Sequence, residues 1–404
     1  MSEPEPSVPD AAASRPGLLG SLRSRLPGGL PGGPLVWLSG SALVVAVIAL
    51  IIALVAVTDD GRPAAQQGSA APPVPRTTAI LGNDTPGTPQ ATRVVPNQSA
   101  LPAPSGSAVT CPPATTTVSD AKGLADALAA AQPGNVIALK DGVYEGKFVA
   151  KNPGTKDQPI HLCGGAGAIL DGGGVNGGYV LHLDGASYWQ VLGLSIRNGQ
   201  KGLMADHVQG ALIQGLTVEQ IGDEGIHLRN FSSDNVVRGN TVRNTGNRRD
   251  TFGEGIYVGT AQSNWSTVSG GQPDNSDRNL VEGNTITDTT SESIDIKEGT
   301  TGGRVLNNVF DGSKFSGSHA DSWIDVKGNG WLIQGNQGRN SKLDGFQTHA
   351  VVDGWGKDNV FKANSAEVNG PGYGFAFTPV LTNTVSCDNK VVNAEKGFGN
   401  IPCV

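Results

Sequence analysis

The sequence is poor in aromatic rings, at 5% of 404 residues, and poor in concentrated charge. No run of Lys or Arg occurs and the net charge is only −7, which excludes the basic surface a nucleic-acid binder needs. Cys and His stand at no zinc spacing, and neither a nucleophile elbow nor a Gly-rich phosphate loop occurs. Glycine is what the chain has in excess. Its 58 residues are about twice the usual share. With no collagen period, that excess implies a chain with many turns.

One stretch lacks charge altogether. From Leu35 to Val57 no Asp, Glu, Lys or Arg appears, and as a helix this span is about 34 Å long, enough to cross a bilayer. Arg15, Arg23 and Arg25 precede it, and Asp59 and Asp60 follow it. The expectation is a single-pass anchor in the cell membrane at residues 35–57, with a disordered cytoplasmic segment at 1–34. A cleaved signal peptide is the rival reading. The apolar stretch is longer than an h-region, however, and no A-x-A site precedes Asp59. Residues 58–108 are rich in Pro, Ala, Thr and Gln and cannot bury a core, so they read as a disordered stalk. The folded part is expected at 109–404, outside the cytoplasm.

All four cysteines lie in that exported part: Cys111, Cys163, Cys387 and Cys403. An oxidising compartment implies two disulfides, with three possible pairings. Nearness along the chain favours Cys111–Cys163 and Cys387–Cys403.

A repeat organises residues 109–404. Segments such as "NVVRGNTVRN", "NLVEGNTITD" and "WLIQGNQGRN" align so that Leu194, Leu216, Asn240, Asn284, Asn308, Asn336, Asn364 and Asn389 share one column. The steps are 22 to 28 residues, except one of 44 that contains the polar insertion "TAQSNWSTVSGGQPDNSDR". A second short segment recurs: "DEGIHLRN", "GEGIYVGT", "SESIDIKE", "DSWIDVKG" and "LDGFQTHA". Coils this short cannot bury their own apolar faces, but stacked coils can, with Asn side chains laddered at the turns. The segment "TVSDAKGLADALAAAQPG" reads as an amphipathic helix with Ser119 as N-cap, placed to cover the open end of the stack.

The helix, then "GNVIALKDGVYEGKF", "PIHLCGGAGAILDGGG" and the Asn-laddered coils together resemble a right-handed parallel β-helix of the pectate-lyase-like superfamily. The fold expected is therefore all-β: a single-stranded parallel β-helix with an N-terminal capping helix, preceded by one transmembrane helix.

Period-2 alternation assigns the sides of the recurring strand. Ile226 and Leu228, Ile256 and Val258, Ile294 and Ile296, and Ile324 and Val326 point inward. Outward columns are then His227, Tyr257, Asp295, Asp325 and Gln347, and beside them Arg229, Gly259, Lys297, Lys327 and His349. Trp323 lies one step earlier. Glu224, Glu254, Glu292, Ser322 and Asp344 form a third column just before the strand. Coils about 4.8 Å apart make this a strip of acids, bases and aromatics suited to an acidic polysaccharide or cell-envelope glycan.

Within it "ESIDIK", Glu292 to Lys297, is similar to the E-x-x-x-x-K element of the alginate lyase/chondroitinase B family. That resemblance implies calcium on Glu292, with Glu254 as a second carboxylate, and Lys297 as the base that removes the C5 proton of a uronic acid. The family's second Glu is Thr290 here, and its next-coil Arg is Lys327. "SWIDVKG" resembles the W-I-D-H element of pectate lyases, with Val326 in place of the His and no R-x-P-x-x-R following. The N-T-D, D-D and G-H-G elements of β-helical polygalacturonases are absent.

The function expected is a membrane-anchored, monomeric polysaccharide lyase acting by β-elimination. The other class is a non-catalytic surface protein that binds glycans through the same strip and depends on Trp323 and Tyr257. Electrostatics at Lys297 pull two ways: a neighbouring ammonium lowers its pKa, while Asp295, Asp325 and Glu298 raise it.

Overall fold

The structure is a computed structural model that describes residues 108–404. The expected cytoplasmic segment 1–34, the anchor 35–57 and all of the stalk but its last residue lie outside the described residues. Among those described, no helix is long and apolar enough to cross a membrane.

Each coil of the chain contributes one strand to each of three parallel sheets. Sheet 1 has eleven strands, from Thr116–Val118 to Thr384–Val385. Sheet 2 has ten, from Gly142–Glu145 to Lys390–Ala394. Sheet 3 also has ten, from Phe148–Ala150 to Gly397–Gly399. One coil illustrates the path: Leu280–Glu282 in sheet 1, Thr285–Thr287 in sheet 2, Ile294–Ile296 in sheet 3. Every strand pairs with its counterpart one coil away, as a solenoid requires.

The core lies between the sheets and is built of like residues stacked in register. Ile226, Ile256, Ile294, Ile324, Phe346 and Phe375 are aligned partners along sheet 3 and all are fully buried. Toward the C-terminal end the stack becomes aromatic, with Phe346 parallel to Phe375 at 5.1 Å between centroids.

The Asn column forms an internal ladder. The side-chain amide of Asn240 donates to Asn284 Oδ1 at 2.9 Å, and the pattern repeats from Asn284 to Asn308, Asn336, Asn364 and Asn389. Each Oδ1 also accepts the backbone N–H of the Asn one coil earlier. Turns that would bury unpaired peptide groups are thereby satisfied. A second series at another corner, Asn235 to Asn279 and Asn359 to Asn383, does the same work. It escaped the sequence reading because Gly303 and Trp331 interrupt it.

Helix α1, Ala121–Ala130, buries Leu124 and Leu128 in the main core at the first coil. Its N-cap is Asp120, not Ser119: the Asp120 carboxylate accepts the Gly123 N–H at 2.8 Å. The disulfides are Cys111–Cys163 and Cys387–Cys403, the pairing that nearness favoured. The first ties the entering chain to sheet 1, where Val109 packs against the cluster of Val136, Cys163 and Leu192.

Candidate functional site

The outer face of sheet 3 carries a cleft of about 680 Å³. Its floor is the strand series Ile226–Arg229, Ile256–Val258, Ile294–Ile296, Ile324–Val326 and Phe346–His349. Thr251 and Phe252, in a short 3₁₀ turn, line it with Ser318, His319 and Asp321. Thr260, Ala261, Ser263 and Asn264 line it from the insertion. That insertion, read as a loop, is a compact structure with a short helix at Trp265–Val268. Asp274 pins it to the preceding coil by accepting the N–H groups of Asn230 and Phe231.

Strand register places the outward residues as alternation required. His227 pairs with Tyr257, Tyr257 with Asp295, Asp295 with Asp325, and Asp325 with Gln347. Ten of the expected residues meet in the cleft: His227, Arg229, Glu254, Tyr257, Glu292, Asp295, Lys297, Asp325, Lys327 and His349. Two do not belong to it. Trp323 is fully buried, donates its indole N–H to Arg339 O at 3.0 Å and packs edge-on against Phe346. A Cβ at Gly338 or Gly345 would collide with its ring. Trp323 therefore fills the core at the corner before its strand, where period-2 alternation has not begun. Trp323→Ala should lower stability by about 3–5 kcal/mol, read by denaturant unfolding, rather than act on a ligand directly. Gln347 is also buried and does not line the cleft; its side-chain amide donates to Asp344 at 2.8 Å.

Charge in the cleft is arranged as a chain across three coils. Lys297 Nζ lies 2.6 Å from Asp295 Oδ2, and Lys327 Nζ lies 2.8 Å from Asp295 Oδ1. Lys327 also meets Asp325 Oδ2 at 2.6 Å, and His349 Nδ1 meets Asp325 Oδ1 at 2.9 Å. Burial alone would lower the Lys297 ammonium, but the Asp295 carboxylate outweighs it and holds its pKa above the ordinary lysine value. Lys327 is raised against burial in the same way by Asp295 and Asp325. Of the two opposing pulls on Lys297, the carboxylates win. For Asp325 burial is again overcome, by Lys327 and His349, and its pKa is depressed.

The third column behaves differently. Burial, then the charges of Glu224 and Glu292, raise Glu254 well above the usual carboxylate range. Burial and Asp295 push Glu292 up to about 8. Neither is in a salt bridge with an ammonium group among the described residues, whereas Glu224 lies 3.1 Å from Lys201. Glu254 Oε2 is buried without a hydrogen bond. Oxygens of Glu254, Glu292 and Asp295 come within 4.8 Å of one another. Hard carboxylate oxygens converging with one unsatisfied are a donor set that fits calcium. Thr290, in the place of the second Glu of the resembling element, is half-buried and donates to Asp250 O at 2.8 Å, supporting the cleft's edge.

Tyr257 stands between the acids and the lysines. Lys297 Nζ lies 5.0 Å from its ring centroid, and His227 is tilted against its other side at 4.4 Å. Burial, followed by Asp295 and Glu254, keeps its phenol protonated far above the ordinary range. The next position in the neighbouring column is Gly259, at φ +87°. A Cβ there would stand 2.6 Å from Thr300 Cγ2. Only glycine suits that backbone, and the column has no side chain at that coil. Sequence reasoning missed Lys201, Asp321 and both groups of loop residues. Lys201 sits one coil before the motif-like strands, and the loops have no period.

The family of the periplasmic copper-binding protein NosD matches residues 165–323. No curated protein matches the chain. Among solved structures, pectate lyase Pel9A is 15% identical over 69% of this chain and 75% of its own, with a TM-score of 0.40. The surface adhesin PfbA of Streptococcus pneumoniae is 12% identical over 67% and 74%, with a TM-score of 0.47. An alginate lyase from Paenibacillus sp. str. FPU-7 is 37% identical over 71% of this chain and 99% of its own, with a TM-score of 0.66. At that identity over nearly the whole of the other protein, the chain belongs to the same parallel β-helix family as the Paenibacillus alginate lyase.

Proposed function

We propose that the protein is a lyase that cleaves a uronic-acid polysaccharide by β-elimination in the sheet 3 cleft. One observation carries the reading: Lys297, Tyr257 and the Glu254–Glu292 pair meet in one cleft of a chain 37% identical to an alginate lyase. Lys297 takes the C5 proton of the uronate. The electron pair left at C5 forms the C4–C5 double bond as the C4–O bond breaks. The departing glycosidic oxygen takes the Tyr257 proton, which burial and the neighbouring acids keep on the phenol until that moment. Lys327, fixed between Asp295 and Asp325, holds Asp295 in place and keeps a positive charge beside the reacting sugar. Glu254 and Glu292 would hold a calcium ion, whose charge, when bound, makes the C5 proton of the uronate more acidic.

The proposal includes a tether. Residues 35–57 anchor the chain in the membrane with the N-terminus cytoplasmic, and 58–108 hold a monomeric β-helix outside it. The two disulfides support the oxidising compartment this placement requires.

A second reading has its own observation. Lys297 rests as an ammonium paired with Asp295, so it acts as a base only after losing a proton that the pair favours. A non-catalytic glycan binder would need the charge and not the base. The test is incubation of the full chain with alginate, pectate, chondroitin and hyaluronan, with calcium or with chelator. Ultraviolet absorbance of unsaturated uronic products is followed. Alginate is the first substrate to give signal under the lyase reading, and chelator abolishes it if calcium serves. Glycan binding with no absorbance change on any polymer moves the protein to the second reading.

A further inference from the structure

His349 closes the cleft's chain of charges two strands beyond Ile294–Ile296 in sheet 3. Its Nδ1 is taken by Asp325 at 2.9 Å. Its Nε2 has no hydrogen-bond partner among the described residues, and the side chain is 31% exposed at the cleft. Asp325 thus serves as an orienter: one oxygen holds Lys327, and the other turns the imidazole so that its second N–H is left to the cleft. A buried carboxylate that aims a histidine outward, with nothing among the described residues to receive its free N–H, is an arrangement made for an anion from solution.

Geometry names the anion. Coils are about 4.8 Å apart, close to the length of one pyranose in an extended chain, so a glycan laid along the helix axis advances one sugar per coil. A uronate whose C5 faces Lys297 has its neighbour at Lys327 and the next sugar at His349. Resting on the uronate reading of this cleft, we propose that His349 is the receptor for the carboxylate of the sugar two residues from the one that reacts. It is a specificity-determining residue for chain length and for acidic sugars, and takes no part in the proton transfers.

The imidazolium is sustained by its surroundings. Asp325 raises its pKa most, burial opposes, and Lys327 opposes and Asp321 assists more weakly. The strand on its other side brings only the uncharged Thr378 opposite it, and His319 lines the same cleft. A raised histidine pKa means the positive charge is present at mildly acidic pH and is lost as pH rises through the folded value. Binding that depends on it weakens in that direction.

The test is calorimetric titration of the full chain carrying Lys297→Ala, which prevents turnover, with alginate dimers and tetramers. Measurements are made at about pH 6 and about pH 9. Adding His349→Gln weakens tetramer binding roughly tenfold at the lower pH and leaves the dimer unchanged. At the higher pH the two proteins converge. His349→Lys restores the tetramer's affinity at both. Equal tetramer affinity with and without His349→Gln overturns the inference, as does a loss that is the same at both pH values or a parent protein that binds no uronate oligomer. Cleavage by the unmutated chain is a separate reading: His349-dependent binding without cleavage sinks the lyase assignment and keeps this one.

Discussion

Lys297→Ala lowers uronate elimination by about 10²–10⁴-fold, the range spanned by the loss of a positioned base, and leaves the fold in place. The structure separates the two effects. Lys297 is 13% exposed, and its partner Asp295 keeps a second ammonium, Lys327, at 2.8 Å when the first is removed. No buried charge is stranded, so the melting temperature should move by only a few degrees. The loss falls on kcat, because the proton transfer occurs only in the transition state. Tyr257→Phe is the companion: it keeps the ring under Lys297 and against His227 and removes only the hydroxyl. A Lys297→Ala protein that retains a tenth or more of the parent rate removes Lys297 from the chemistry, and a drop confined to KM makes it a binding group.

How far the site could be read in advance follows from periodicity. Strand alternation puts Ile294 and Ile296 inward and Asp295 outward, and stacking then brings Tyr257, Asp295 and Asp325 into one column without any structure at hand. The same rule fails one residue before a strand. Trp323 precedes Ile324 and both are buried, because the chain there is turning a corner and its ring enters the space left by Gly338 and Gly345. Glu254 and Glu292 lie at the same corner, yet they were legible as a recurring acid. What no pattern revealed was their state: two buried carboxylates side by side without an ammonium, while the lysines one step on are fully paired. That division depends on a few ångströms of side-chain reach. The walls were hidden for another reason. Thr251, Phe252 and Asp321 belong to connecting segments, whose place over the cleft is set by isolated local contacts such as those of Thr290 Oγ1 and Ser291 Oγ to Asp250 O.

The asparagine ladder at the corner between sheets 1 and 2, which stacks each coil on the last, sets the largest stability effect. The Asn308 side chain makes four hydrogen bonds in the interior. Its Oδ1 accepts the Asn284 N–H and the Asn284 side-chain amide, both at 2.9 Å. Its own amide donates to Val281 O at 3.0 Å and to Asn336 Oδ1 at 2.9 Å. Asn308→Ala removes all four and admits no protein group in their place. Each stranded buried group costs about 1–3 kcal/mol, and partial relaxation brings the expected loss to about 3–5 kcal/mol. The control is a ladder of the same chemistry on the surface, where Asn393 donates to Asn369 at 2.8 Å and Asn369 to Asn340 at 2.9 Å. There Asn369→Ala leaves its neighbours to water and should cost under about 1 kcal/mol. Urea unfolding of the two variants decides it. If Asn308→Ala costs no more than Asn369→Ala, water or a shifted turn satisfies the interior groups, and apolar stacking alone holds the coils in register. If it costs several times more, the column of asparagines is what fixes each coil over the last, and with it the spacing at which Tyr257, Lys297, Lys327 and His349 face a glycan.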